Sequence, residues 1–352
     1  MDQKISVILP CRNEKEAIAE TIHEIQKTAE QYALDIEIIV SDSSHDGSDV
    51  IAEREGAKII KHDKEGYGFA IKEGISHAGG DIIIYADADF TYRLSDIPKF
   101  LDALKTNDVV IGSRLKGKVE KGAMPFAHRF FGTPMLNMLL FIFFGIRISD
   151  SQSGFRVLKK KTFEDLHLKT NGMEFATEML IKAERMNMRI KEVPIHYAKR
   201  KGTSKLRRYR DGFAHLKYIL IQTPFSFYAG IGGVLCILGI SGFTWGKNVS
   251  PFLELATVKI FFPILGVQIL FFGLFAKTYL MTRFDEPTDV LKKFYAEFRL
   301  PFALVLGLVF IGIAVYMKTT AGATHFDIIL VSATLGIQII FNSIILSTLS
   351  IK

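Results

Sequence analysis

The stretch Ile-Ile-Ile-Tyr-Ala-Asp-Ala-Asp, residues 82–89, places two aspartates directly after a short apolar run. A run of this kind is typical of a strand that is buried on both faces of a parallel sheet. Because side chains alternate between the two faces of an extended chain, the carboxylates of Asp87 and Asp89 are expected to project to the same side. Two oxygen ligands so arranged suit Mg²⁺ or Mn²⁺ shared with a diphosphate, and a solvated turn is the simpler alternative.

Further apolar runs of strand length alternate with helical stretches around this one. The runs are residues 5–9, 36–40, 58–60 and 109–111, and the predicted helices include residues 14–32, 68–77 and 95–104. This alternation predicts an α/β class with a mostly parallel, Rossmann-like sheet. Ligands of such sheets bind beyond the carboxyl ends of the strands. Polar segments are expected there at residues 10–14, after the first run, and at residues 41–48, after the second. Gly112-Ser113-Arg114 follow the run at residues 109–111 in the same way.

Two glycine motifs that bind nucleotide phosphates are missing from the sequence. There is no G-x-G-x-x-G after the first predicted strand and no G-x-x-x-x-G-K-[ST] anywhere. This argues against a dinucleotide-dependent dehydrogenase and against a P-loop ATPase. A phosphorylated ligand is therefore expected to be held by a metal ion and by arginine.

Charge is distributed unevenly along the 352 residues. The chain has 44 basic and 37 acidic residues and a net charge of +7, yet its last 130 residues hold only 9 basic and 6 acidic ones. Uncharged runs in that part are long enough for spanning helices. We predict a catalytic domain over residues 1–222 and a transmembrane domain over residues 223–352. The four spans are expected at about residues 224–246, 258–281, 300–317 and 327–350.

The basic residues between the spans predict the topology. The loop between the second and third spans carries Arg283, Lys292, Lys293 and Arg299. Because basic loops stay on the cytoplasmic side, this loop, both termini and the catalytic domain are expected to be cytoplasmic. The chain opens on an apolar strand without a basic stub before it, and we expect no cleavable signal peptide.

Several motifs resemble those of glycosyltransferase family 2, the inverting enzymes of GT-A fold, and within it the dolichol-phosphate-mannose-synthase-like polyprenyl-phosphate glycosyltransferases. The matching segments occur in family order and cover residues 5 to about 222. They are SVILPCRNE (6–14), SDSSHDGS (41–48), DAD (87–89), GSR (112–114), HRFFG (128–132), DSQSGFR (150–156), GMEFATEM (172–179) and RKGTSK (200–205). The resemblance implies transfer of a hexose from GDP-mannose or UDP-glucose to a dolichyl or undecaprenyl phosphate in the membrane.

The resemblance also implies roles for individual residues at the donor site. It assigns the nucleotide pocket to Pro10, Arg12, Glu14, Asp42 and Asp87. It assigns the metal to Asp87 and Asp89. The family often has an acidic residue where this chain has Ser41, and many members have glutamine where it has Thr91. The resemblance therefore does not identify a third protein ligand of the metal.

For the acceptor phosphate, the resemblance implies Arg114 and Arg129, since a guanidinium group can bind phosphate oxygens in a bidentate way. Thr133, four residues after Arg129, could add a hydroxyl group. Anchoring of Arg129 to lipid headgroups is the alternative. The helix predicted at about residues 126–145 is heavily apolar, and we interpret it as lying in the membrane interface rather than in a buried core.

Seven of the twelve residues from Lys199 to Arg210 are basic. A nucleic-acid-binding arm would have a similar composition, but this segment directly precedes the first span, where basic residues favour anionic lipid. We therefore expect no nucleic acid partner, and we predict a second interfacial helix at about residues 206–222. The resemblance puts Lys201, Ser204 and Lys205 on a loop that closes over the donor diphosphate.

In the segment DSQSGFR, the resemblance implies that Asp150 and Gln152 face the sugar pocket. The alternative is that this segment is a purely structural turn.

A lipid monophosphate has a second pKa near ~6 and arrives largely as a dianion, so its attack on the sugar requires no general base. Direct displacement then inverts the anomeric carbon.

Two other functions remain as alternatives. A processive polysaccharide synthase also joins this fold to membrane helices, but such enzymes resemble one another in a Q-x-x-R-W box, and the only tryptophan here is Trp245. A transporter of lipid-linked sugars with a nucleotide-binding domain would require polar residues along its spans. The spans offer little beyond Gln268, Lys277, Gln338 and Asn342.

Overall fold

A computed structural model describes most of the chain. The described residues are 4–202, 208–249, 255–284, 286, 293–295, 300–321 and 325–349. The chain divides into two compact units, Met1–Ile219 and Leu220–Lys352. Each unit has its own architecture.

The first unit is built on a seven-stranded sheet. Its strands are β1 (Ile5–Cys11), β2 (Ile36–Asp42), β3 (Lys58–Lys61), β4 (Ile82–Tyr85), β5 (Val109–Val119), β6 (Arg156–Lys159) and β7 (Ile190–Tyr197). The strands lie in the order β3-β2-β1-β4-β6-β5-β7. Only β6 pairs with its neighbours in an antiparallel way, and the other pairs are parallel. The predicted mostly parallel α/β sheet is confirmed.

Eight α-helices precede the long apolar ones in the described part of the chain. They are α1 (Ile18–Tyr32), α2 (Ser48–Arg54), α3 (Tyr67–Ser76), α4 (Ile97–Leu104), α5 (Thr133–Phe144), α6 (Lys160–Asp165), α7 (Phe175–Arg185) and α8 (Arg208–Gln222). A 3₁₀ turn at Leu94–Asp96 precedes α4, and a π-helical turn at His128–Gly132 precedes α5. The helix predicted from Glu14 begins only at Ile18, because the backbone N–H of Glu14 donates to the Ser48 hydroxyl at 2.8 Å and the intervening residues form a turn.

The core lies where the helices cover the sheet. Ile18, Ile22 and Ile25 lie on one side of α1 and are fully buried. On α4, Phe100 stacks on Phe155 with 4.1 Å between the ring centroids. Each such side chain stabilises the fold by about 1.5–3 kcal/mol through burial of apolar surface. This core fixes the carboxyl ends of β1, β2 and β4 relative to one another.

Strand β5 is longer than the sequence predicts. The apolar run was expected to end at Ile111, with Gly112-Ser113-Arg114 in the loop after it, but these three residues lie inside the strand. Pairing continues because β7 runs alongside, with Gly112 opposite Val193 and Ser113 opposite Pro194. A Cβ atom at Gly117 would lie 1.9 Å from the carbonyl oxygen of Ile195, so only glycine permits this close approach. Arg114 is consequently buried.

The second unit consists of long apolar helices. These are α9 (Phe225–Val249), α10 (Ala256–Phe284), α11 (Leu300–Ala321) and α12 (Phe326–Leu349). Each is long and apolar enough to cross a membrane. The prediction of four membrane-spanning helices after the catalytic domain is confirmed by this composition, which indicates a membrane protein.

Polar side chains in these helices bind other parts of the same unit. The Gln338 and Asn342 side chains of α12 donate to the Gln268 side-chain oxygen of α10 at 3.1 and 3.2 Å. The Lys277 ammonium group is buried and donates to the carbonyl oxygens of Ile221 and Gln222. Hydrogen bonds of this kind join helices in an apolar environment.

Candidate active site

Asp87 and Asp89 follow β4 directly, as the sequence predicts. Asp87 is half-buried and Asp89 is buried. Burial, followed by the repulsion of the Asp89 carboxylate, raises the pKa of Asp87 from 3.8 to about 7. A Cβ atom at Gly154 would lie 2.8 Å from Asp87 Oδ1, so glycine is required for the close packing of this carboxylate. Two crowded carboxylates at the edge of a sheet favour a bound cation.

Thr91 orients the second carboxylate. Its backbone N–H and its hydroxyl group donate to Asp89 Oδ1 at 3.1 and 2.5 Å. Among the residues that the structure describes, no group of three histidine, cysteine or carboxylate side chains converges on one point. Asp87 and Asp89 supply hard oxygen ligands of the kind that bind Mg²⁺ or Mn²⁺, and such ions commonly take their remaining ligands from water and phosphate.

Arg200 is a site residue that the sequence reasoning missed. One terminal nitrogen, Nη1, lies 2.9 Å from Asp89 Oδ2, and the other donates to the Glu14 carboxylate. The signal was present in the sequence, because Arg200 belongs to the basic segment at residues 199–210, but nothing singled it out from its neighbours. It joins the end of β1 to the acid pair.

The predicted loop residues are only partly described. The Lys201 ammonium group donates to Glu20 Oε1 at 2.5 Å and lies 5.1 Å from the centroid of the Phe90 ring. Its backbone N–H donates to the carbonyl oxygen of Asp89 at 3.3 Å. Ser204 and Lys205 lie outside the described residues.

The predicted nucleotide pocket lies at the carboxyl ends of β1 and β2. Asp42 is fully buried, and the Ser44 hydroxyl donates to its Oδ1 at 2.5 Å. Pro10 lies next to this position in the sheet, since Pro10 pairs with Ser41 and Cys11 pairs with Asp42.

The remaining two residues assigned to this pocket both bind other side chains. The exposed Arg12 guanidinium group pairs with Glu65 at 2.6 Å. Glu14 is buried and binds Arg200. The five assigned residues therefore lie at one edge of the sheet, in neighbouring strands or directly after them.

Arg114 and Asp150 form a buried pair with each other. The Arg114 backbone N–H and Nε donate to Asp150 Oδ2 at 2.9 and 2.7 Å, and Nη2 donates to Oδ1 at 2.7 Å. The guanidinium group also lies 5.3 Å from the centroid of the Tyr197 ring. Two of the three guanidinium nitrogens thus donate to Asp150. Among the described residues Nη1 has no such partner, so it can bind a further group.

Glu192 holds this pair in place, and sequence reasoning gave no signal for it. Its Oε1 accepts hydrogen bonds from the backbone N–H groups of Ser149 and Asp150 at 2.9 and 3.0 Å. Its Oε2 lies 2.7 Å from the ammonium group of Lys116. The carboxylate of Glu192 therefore fixes the loop that presents Asp150 to Arg114.

Arg129 lies in the π-helical turn before α5. Its guanidinium group lies 5.4 Å from the centroid of the Phe130 ring, and it forms no ion pair with any carboxylate of the described residues. Thr133 is the first residue of α5 and is buried. The helix buries Leu136 and Leu140. The opposite surface is apolar and exposed, and its residues are Phe126, Phe130, Phe131, Met135, Met138, Phe141 and Ile142.

The segment 150–156 is held from inside the protein. The Gln152 amide donates to the Ser151 hydroxyl at 3.0 Å and lies 3.5 Å from the Thr177 hydroxyl. Arg156 is fully buried and donates to the carbonyl oxygens of Ser151, Ser153 and Ala176. Arg156 therefore shapes the loop around Gly154, a role that the sequence analysis did not assign.

Comparisons with known proteins agree with the predicted family. Residues 6–167 match the family described as glycosyl transferase family 2. One relative, from Haloferax volcanii, is named low-salt glycan biosynthesis hexosyltransferase Agl6. It is 30% identical to this chain, and the match covers 98% of this chain and 89% of the relative. A dolichyl-phosphate hexose transferase of the same organism is 29% identical over 61% of this chain and 92% of its own.

Two further comparisons are less extensive. A dolichol-phosphate mannosyltransferase from Pyrococcus furiosus is 31% identical over 61% of this chain and 62% of its own. The solved structure of mannosyl-3-phosphoglycerate synthase from Rubrobacter xylanophilus is 18% identical over 62% of this chain and 73% of its own, with a TM-score of 0.48. The family match and the full-length relative decide the assignment: this chain belongs to glycosyltransferase family 2 and is a glycosyltransferase.

Proposed function

We propose that this enzyme transfers a hexose, mannose or glucose, from a nucleotide sugar to a membrane polyprenyl phosphate, with inversion at the anomeric carbon. The donor would be GDP-mannose or UDP-glucose, and the acceptor dolichyl or undecaprenyl phosphate. The observation that carries the proposal is the acid pair, Asp87 and Asp89, at the sheet edge of a chain whose other unit, where it is described, contains four apolar helices long enough to cross a membrane. The names of the two dolichyl-phosphate transferases among its relatives support it.

A divalent cation, Mg²⁺ or Mn²⁺, would be held by Asp87 and Asp89. The raised pKa of Asp87 supports this, because a cation between the two carboxylates would relieve their repulsion. When bound, the ion would supply positive charge to the diphosphate leaving group. Thr91 would orient the Asp89 carboxylate by its hydrogen bond to Oδ1, so that Oδ2 faces Arg200.

Positive side chains of this chain would complete the donor and acceptor sites. Arg200 and Lys201 lie beside Asp89 and are suited to the charge of a diphosphate. We assign Ser204 and Lys205 to the same loop, which would exclude water from the sugar. Arg129 has no carboxylate partner among the described residues, so it is the better candidate for the acceptor phosphate, and Arg114 Nη1 and Thr133 are the further candidates.

The reaction itself needs little further chemistry. An oxygen of the lipid phosphate forms a bond to the anomeric carbon while the bond from that carbon to the diphosphate oxygen breaks. Because the phosphate monoester is largely a dianion at neutral pH, no proton has to be removed first. An α-linked nucleotide sugar would give a β-linked lipid product. Asp150 and Gln152 are our candidates for contacts with the sugar.

For the orientation in the membrane, we propose that both termini and the catalytic unit are cytoplasmic. The basic residues between the second and third spans support this, because basic loops are retained on that side. The exposed apolar surface of α5 and the turn before it is suited to the membrane interface, where a lipid acceptor could enter the site from the bilayer.

The test is a donor screen with the purified full-length protein in detergent. GDP-mannose and UDP-glucose are each supplied with a short polyprenyl phosphate and Mn²⁺, and the glycolipid and the nucleoside diphosphate are measured. We expect donor consumption only when the lipid phosphate is present. Polymer formation would favour a polysaccharide synthase, and the absence of donor consumption with any nucleotide sugar would refute the proposal.

A further inference from the structure

A shallow, open cavity of about 400 Å³ lies in the first unit beside α5, close to the loop that presents Asp150 to Arg114. It is bordered by Lys116 of β5, by Glu192 of β7 and by the segment that follows α5. None of the residues assigned above to nucleotide, metal or acceptor phosphate lines it.

The charges at this cavity sum to a positive value. Glu192 is almost fully buried, and its charge is compensated by the Lys116 ammonium group at 2.7 Å. Arg147 is exposed at the same cavity and forms no ion pair with a carboxylate of the described residues. Its guanidinium group lies 5.6 Å from the centroid of the Phe141 ring. One uncompensated cation is therefore available to an anion.

Asn137 and Ser149 also border the cavity, and the rest of its wall is apolar. Met138 and Phe141 are 53% and 49% exposed, and Ile146 and Ile148 lie beside them. Met138 and Phe141 also belong to the exposed apolar surface of α5, so the cavity continues into that surface. A cation next to exposed apolar side chains is suited to a molecule that has an anionic head and a hydrocarbon tail, and it is less suited to a free anion.

We propose that this cavity binds an anionic phospholipid of the bilayer, with the headgroup phosphate on Arg147 and an acyl chain along Met138 and Phe141. Four helices in the described part of the chain are long and apolar enough to cross a membrane, where phospholipid would be at hand. The site shares no lining residue with the proposed acceptor site, and it does not depend on the transfer reaction. Its occupant would hold α5 at the lipid surface.

The test measures lipid retained by the full-length protein. Native mass spectrometry in detergent is used to titrate phosphatidylglycerol and, separately, phosphatidylcholine. We expect preferential retention of phosphatidylglycerol. Arg147→Gln should weaken its binding roughly fivefold, the contribution of one basic residue at an anionic membrane surface. Phe141→Ser should weaken it as well. The matched control is Arg54→Gln, an exposed arginine on α2, which should bind as the unchanged protein does.

Competition separates the other possible occupants. Inorganic phosphate or a short polyprenyl phosphate is added to the protein with bound phosphatidylglycerol. If inorganic phosphate displaces the lipid at equal concentration, the site binds free anions and the proposal is overturned. Displacement by polyprenyl phosphate in the unchanged protein and not in Arg147→Gln would assign the cavity to the acceptor and would equally overturn it. If Arg147→Gln and Arg54→Gln retain phosphatidylglycerol equally, the proposal is overturned as well.

Discussion

Replacing Asp150 by alanine should destabilise the catalytic unit strongly. Asp150 accepts three hydrogen bonds from Arg114, and the two side chains are 0% and 10% exposed. Removing one partner of a buried ion pair typically costs about 3–5 kcal/mol, because the other charge stays buried and unpaired. In a domain of this size each kcal/mol lowers the thermal midpoint by about 2–4 °C. The expected decrease is therefore about 6–20 °C.

Removing both charges distinguishes stability from function. In the double variant Arg114→Met with Asp150→Leu, no charge remains buried, and we expect a midpoint much closer to that of the unchanged protein. Sugar transfer to polyprenyl phosphate should nevertheless be impaired, because Arg114 Nη1 is lost from the proposed acceptor site. The exposed pair of Asp102 and Lys105 provides the control, and Asp102→Ala should leave the midpoint almost unchanged.

Both measurements use the full-length protein in detergent. The thermal midpoint is followed by circular dichroism, and transfer is followed by glycolipid formation. A midpoint for Asp150→Ala equal to that of Asp102→Ala would refute the reasoning about the buried pair. Full activity in a folded double variant would refute the role of Arg114 in binding the acceptor.

Three further changes test other parts of the site. Asp89→Ala should abolish transfer at every Mn²⁺ concentration and leave folding intact, whereas Asp81→Ala, at the opposite end of β4, should retain Mn²⁺-dependent activity. Arg129→Ala should raise KM for the polyprenyl phosphate and change KM for the nucleotide sugar little; equal effects on both would contradict its assignment. Burial, followed by the charge of Arg156, lowers the pKa of His215 from 6.5 to about 4. The folded protein therefore keeps this imidazole neutral while the unfolded chain takes up a proton, so up to about 3 kcal/mol of stability is lost as the pH falls from 6.5 to 4. His215→Gln should reduce that loss in chemical unfolding, and an unchanged pH dependence would contradict it.

The strands and the acid pair were predictable from local sequence. Apolar runs of strand length identify β1, β2 and β4, and parallel strands bring their carboxyl ends together whatever the rest of the chain does. The extent of β5 was not predictable in this way. Residues 112–119 are too polar for a buried strand by composition, and they pair only because β7, contributed by residues about 80 positions later, lies alongside.

The contacts within the site depend on such distant residues as well. The sequence analysis identified Arg114 and Asp150 separately, one for phosphate and one for sugar, because nothing local indicates that they bind each other. Glu192 and Arg200 were missed for the same reason. Each is one charged residue among many, and each becomes part of the site only because folding brings it to a particular partner.

The arrangement of charges around the site also bears on the choice of acceptor. A sugar hydroxyl would need a general base to become a nucleophile at neutral pH, whereas a lipid phosphate is already ionised. Asp87 and Asp89 would be occupied by the metal ion, and four other carboxylates near the site that the structure describes are each bound to a cation, in the pairs Asp150 with Arg114, Glu14 with Arg200, Glu178 with Lys182 and Glu192 with Lys116. His215 is buried and bonded to Thr177. A carboxylate held by a cation is a weak base, so this set of residues suits an acceptor that needs none. Arg129, which has no carboxylate partner in the described parts of the chain, is then free to bind the anion that such an acceptor carries.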